Sequence, residues 1–204
     1  MNVPESDILR YIGVKIPDES IVKKVAEATD AVLKVAEPKG VYKKFAYRNG
    51  VLTDINYRLQ GTDIIKHLGN ADEVVVMAVT LGLKVDIETA RLNKISETRA
   101  FLFDAAASAA IEAFADEFTD GIAAEIGSPV GDRFSPGYGD LPISIQRDIQ
   151  TMLSADTKIG LAVEKNHTLI PLKSITAIAP VGVKRCLNHD CKKCNKTDCA
   201  FRKE

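Results

Sequence analysis

Residues 133–142 read Arg-Phe-Ser-Pro-Gly-Tyr-Gly-Asp-Leu-Pro, and their types are those of a ligand-contacting loop. Pro136 and Pro142 lack an amide donor and fix φ, whereas Gly137 and Gly139 reach positive φ without strain, so the segment is neither a regular helix nor an inner strand. On such a backbone the Arg133 fork can take a carboxylate bidentately, with Tyr138 and Asp140 displayed beside it. Gly137 would let the main chain approach a small molecule closely. The same composition also suits an ordinary surface turn between two helices. A second group of chemically active residues is Cys186, Cys191, Cys194 and Cys199, four thiols within fourteen residues. Four thiolates at short spacing suit tetrahedral zinc or an iron-sulfur cluster, because either centre compensates their charge. The spacing does not choose between the two metals, and a reducing compartment argues against reading the cysteines as disulfides.

Several elements must hold these residues in place. Apolar residues from Ile21 to Ala36 recur at helical spacing behind Asp18 and Glu19, which suit the positive end of a helix dipole. Residues 41–48 and 51–54 flank Asn49-Gly50 and predict a hairpin at a sheet edge. Thr62 and Asp63 suit the start of a short helix through Leu68. Residues 73–80 form a continuous β-branched run, the pattern of a central strand covered on both faces. Helices are expected to about Ser96 and then from about Glu97 to Glu117, the second with alanines that let a neighbour approach closely. Glu112 sits in that helix among Ala109, Ala110, Ile111, Ala113 and Phe114, one turn beyond Ser108. A carboxylate there is either on a solvated stripe or held in a pocket by a partner. A helix over 143–153 and strand-like segments at 159–163 and 168–179 complete an α+β pattern.

The 204 residues, 46% hydrophobic and 27% charged with a formal net charge of -1, allow one substantial core with a small appendage. No basic stripe points to nucleic acid. The N-terminus is acidic and no apolar run is long enough for a membrane helix, so a cytoplasmic protein is expected. Charge is uneven: residues 184–204 carry seven Lys and Arg against three Asp and Glu. This divides the chain into a core over 1–183 and a Cys-rich tail over 184–204.

The 133–138 segment resembles the R-x-S/A-P-G-Y signature of the activation domain of vitamin B12-dependent methionine synthase. Other pieces agree in order. Val79-Thr80-Leu81-Gly82 with Val85-Asp86 is similar to the T-L-G-x-x-V-D run of short, stand-alone members, residues 104–117 resemble the helix before the signature, and residues 170–176 resemble the P-x-x-S-V-S strand after it. The resemblance spans about residues 70–180 and implies an α+β fold with a mixed or antiparallel sheet packed against long helices. It implies an S-adenosylmethionine site formed by Glu112, Arg133, Ser135, Gly137 and Tyr138, in which Glu112 meets the ligand's ammonium and Arg133 its carboxylate. The family's N-terminal Asp and late Tyr have no evident counterpart. No D-x-H-x-x-G motif is present, and His67, His167 and His189 are scattered, so cobalamin is expected on a partner protein.

The implied role is reactivation of a cobalamin-dependent methionine synthase or related corrinoid methyltransferase, by reductive methylation of inert cob(II)alamin to methylcobalamin. One electron would come from a reductase or other donor, which favours an iron-sulfur cluster over zinc in the tail. The rival reading is a non-catalytic metal-binding interaction protein that keeps the fold without binding S-adenosylmethionine.

Overall fold

The computed structural model describes residues 1–185. The architecture is α+β and is built on one antiparallel sheet. Strands β1 (Lys39–Arg48), β2 (Val51–Leu52), β3 (Tyr57–Arg58), β4 (Glu73–Thr80) and β7 (Ser174–Pro180) lie in the order β3-β2-β1-β4-β7. A separate two-stranded ribbon is formed by β5 (Ala162–Val163) and β6 (Leu169–Ile170). Every residue of β4 after Glu73 is buried. Alternation along the strand sends Val75, Met77 and Val79 into one apolar cluster and Val74, Val76 and Ala78 into the other, so the β-branched run is covered on both faces.

The first face carries α1 (Glu5–Tyr11), α2 (Glu19–Val35), α4 (Leu83–Asn93) and the thirty-residue α5 (Glu97–Ile126). The second carries α3 (Thr62–Leu68), α6 (Ile145–Leu153) and α7 (Ala155–Ile159). Asp18 Oδ1 accepts from the Ile21 amide at 2.8 Å and caps α2. Ala106, Ala107, Ala109 and Ala110 are at most 1% exposed, which shows how closely α5 is packed. No helix of the described residues is long and apolar enough to cross a membrane.

Several sequence expectations change. The hairpin is not confined to an edge: β1 pairs with β4 from Lys39↔Thr80 to Ala46↔Glu73, and only its last two residues turn to β2. Asn49 and Gly50 do make the turn, both at positive φ. Helix α5 runs nine residues past Glu117 to Ile126, where Gly127 ends it at φ +65°. Helix α1 has too short an apolar pattern to be noticed, yet it buries Ile8. Ile159 ends α7 rather than opening a strand.

The T-L-G-x-x-V-D and P-x-x-S runs meet as a structural clasp. Ser174 Oγ donates to Thr80 Oγ1 at 2.8 Å, the Leu172 amide donates to Asp86 Oδ2 at 2.8 Å, and Thr80 Oγ1 also accepts from the Gly82 amide at 3.1 Å. These contacts fix how β4 leaves the sheet and how β7 enters it.

Candidate functional site

The 133–142 loop is held at three points. Phe134 exchanges two backbone hydrogen bonds of 2.9 Å with Ile178 of β7, and its buried ring joins the second apolar cluster. That pairing covers the outer edge of β7 and sets the direction in which Arg133 and Ser135 leave the chain. His67 of α3 lies with Nε2 2.7 Å from the Asp132 carbonyl oxygen and packs on the Phe134 ring at 5.2 Å between centroids. At the far end, Asp140 accepts hydrogen bonds from the Thr62 amide (2.7 Å), the Thr62 hydroxyl (2.7 Å) and the Asp63 amide (2.9 Å).

Those three donors hold the Asp140 carboxyl down at about 2, the Thr62 amide contributing most. Asp140, though exposed, is therefore the cap of α3, placed from 77 residues away, and it does not line the cavity between α1, α5 and this loop. The helix runs from Thr62 to Leu68 as expected, but Thr62 and Asp63 do not cap it: Gly61 is the N-cap residue and has no side chain to do so. A Cβ on Gly61 would lie 2.7 Å from Asp140 Oδ1, and one on Gly139 would lie 2.5 Å from Asp63 Oδ2, so both glycines are required by the latch.

A cavity of about 660 Å³ opens between α1, α5 and this loop, within the range of roughly 300–1,000 Å³ usual for small-molecule sites. Glu112, Arg133, Ser135 and Tyr138 all line it. Gly137 does not line it. Its φ is +90° and its amide is used by the Leu141 carbonyl oxygen at 2.9 Å, so its part is to shape the turn. The four cysteines lie outside the described residues. Among the described residues no group of three or more His, Cys, Asp or Glu side chains is arranged to hold a metal ion.

The Arg133 side chain is 14% exposed and its fork is divided between two carboxylates of α5. Nη1 donates to Asp116 Oδ1 at 2.6 Å, and Nη2 donates to Glu112 Oε2 at 2.9 Å. Glu112 and Asp116 are four residues apart, so they stand on one helix face and meet the planar fork together. Asp120 continues the row one turn on. Asp116 and Asp120 also receive Arg185, which donates to Asp116 Oδ1 at 3.1 Å and to Asp120 Oδ1.

Opposite this row, α1 contributes Asp7, Arg10 and Tyr11 to the cavity wall. The Arg10 guanidinium stands 5.6 Å from the centroid of the Tyr11 ring. Burial first and the Glu112 carboxylate second raise the Tyr11 hydroxyl above its usual range. Of these α1 residues the sequence marks only Asp7, as one of the acidic residues of the N-terminus, and gives no signal for Arg10 or Tyr11. The i, i+4, i+8 spacing of Glu112, Asp116 and Asp120 was the readable signal for the row on α5. The resulting arrangement offers carboxylates and guanidinium groups around one cavity, with two tyrosines at its edge, and so fits a zwitterion joined to a flat ring.

No protein-family model and no curated protein matches the sequence. Among solved structures, a match is the MetH reactivation domain bound to AdoHcy, with a TM-score of 0.62 and 17% identity over 85% of this chain and 69% of that chain. At that identity the likeness speaks to architecture. The curled antiparallel sheet with its helices has the fold of the MetH reactivation domain.

Proposed function

We propose that this cavity binds S-adenosylmethionine and that the chain reactivates a cobalamin-dependent methionine synthase or related corrinoid methyltransferase. The observation that carries the reading is the half-enclosed Arg133, held against Glu112 at the wall of a ligand-sized cavity, in a fold whose solved relative holds AdoHcy. The residues suit the ligand. Arg133 would release Glu112 to take the ligand's carboxylate, and the freed Glu112 would take its ammonium, so the internal ion pair is exchanged for two of the same kind. Asp116 would keep its 2.6 Å hold on Nη1 and preserve the fork's orientation. Tyr11 and Tyr138 offer ring faces to the adenine, and Tyr138 is 63% exposed in the absence of a partner.

S-adenosylmethionine, when bound, would supply a methyl already activated on a sulfonium, whose sulfur would keep the carbon-sulfur pair, for delivery to a partner-held cobalt given one electron by a separate reductant. The chain's own part is to place the ligand, which needs no general acid or base. Residues 1–183 would form the methionine synthase activation-like unit. Residues 184–204, with Cys186, Cys191, Cys194 and Cys199, would hold zinc or an iron-sulfur cluster, the cluster being able to carry the required electron.

One observation favours the rival reading of a ligand-free interaction protein. Arg133 is already satisfied by Glu112 and Asp116. The two readings separate in a reactivation assay. A cob(II)alamin-containing methionine synthase lacking its own activation domain should regain turnover when given this protein, S-adenosylmethionine and a reductant. No recovery would favour the interaction protein.

A further inference from the structure

Arg185 was read with the cysteine tail, but its side chain is built into the wall of the cavity. It is 12% exposed and shares Asp116 Oδ1 with Arg133, at 3.1 Å against 2.6 Å. Two guanidinium groups drawn to one carboxylate oxygen repel each other, and the acidic row of α5 offsets that repulsion: Glu112 holds the far side of one group and Asp120 the far side of the other. The result is two guanidinium groups side by side at one corner of the open volume, set among the carboxylates of Glu112, Asp116 and Asp120, with Asp7 of α1 also lining the cavity. A ligand with a carboxylate at one end and an ammonium near it matches that division of charge.

Resting on the reading above, we propose that Arg185 is a second guanidinium of the carboxylate subsite, acting with Arg133, and that ligand binding is thereby linked to the C-terminal segment. Cys186 follows Arg185 directly in the chain. Whatever fixes or displaces residue 185 then alters ligand affinity, and by linkage the ligand alters the availability of residue 185 by the same factor.

The test uses the full chain and two readouts. In calorimetric titration, Arg185→Gln should bind S-adenosylmethionine roughly tenfold more weakly than wild type, the loss typical of one charge-assisted hydrogen bond. Arg185→Lys, which keeps the charge without the fork, should recover part of it, and this guards against a merely structural defect. Trypsin must draw an arginine side chain into its acidic specificity pocket, so cleavage after Arg185, followed by intact mass, should slow when S-adenosylmethionine saturates the protein. Arg185→Gln binding as tightly as wild type, or a cleavage rate indifferent to ligand, overturns the proposal while leaving the broader reading intact. Wild-type protein that binds no S-adenosylmethionine defeats both.

Discussion

On the proposed reading Arg133 exchanges partners when S-adenosylmethionine binds, and the consequence of removing it follows from burial. Glu112 and Asp116 are 50% and 61% exposed, so water takes over their hydrogen bonds when the guanidinium is lost, and the fold is little affected. The bound ligand has no such substitute for its carboxylate. Arg133→Ala should therefore weaken S-adenosylmethionine by about 1.5 to 3 kcal/mol, roughly ten- to a hundred-fold, with an unchanged melting temperature. Glu112→Gln should weaken it as well, because the ammonium then meets a neutral amide. An S-adenosylmethionine analogue without the amino group should bind wild type and Glu112→Gln alike, and a titration of both proteins with both ligands checks this. Arg133 stood out as an arginine in a Pro-Gly loop and Glu112 through the family resemblance, and both line the cavity. Asp7, Arg10, Tyr11 and Arg185 did not stand out, since each is an ordinary surface type until the fold brings it to the cavity.

At the scale of elements, helix α3 lines no part of the cavity and is the support on which the loop is fastened. Its latch is the Asp140 carboxylate, and the sign of its pH dependence is fixed by the depressed value. The folded carboxyl titrates at about 2 and the free one near 3.8, so the latch is fully stabilising above the free value and is lost as pH falls through the folded one. Asp140→Ala should melt below wild type near neutral pH, and thermal melts followed by circular dichroism should show the gap narrowing below pH 4 and closing toward pH 2. A gap independent of pH would mean that the ionised carboxylate is not what fastens the loop. The close-packed stripe of α5 gives a second test. Leucine at the fully buried Ala107 should cost about 1 to 3 kcal/mol by overpacking, measured by urea unfolding. The strand β4 and the helix α2 were legible because their apolar period matches one element and one depth of burial. The far end of α5 was not, because Asp116 and Asp120 replace apolar period with ion pairs. The cap on α3 was not, because its donor and acceptor are 77 residues apart.

For the molecule as a whole, one core with two apolar clusters on a single sheet should melt as one unit. If the four cysteines hold a metal, the anaerobically purified chain should contain about one centre, whose removal by a chelator leaves the main melting transition in place. Replacing all four cysteines by serine should abolish the metal content, and metal retained in that variant would place the centre elsewhere. The overall fold was legible through the order of four short motifs, two of which proved to be the clasp between β4 and β7, with Ile175 of the second also on the cavity wall. Their spacing reports the sheet, and the sheet brings Arg133 to α5. The central claim is that the cavity between α1, α5 and the 133–142 loop takes S-adenosylmethionine. Calorimetric titration of the wild-type chain tests it most directly: the account predicts saturable binding of one ligand per chain that Arg133→Ala weakens at least tenfold, and no heat of binding at millimolar S-adenosylmethionine would contradict it.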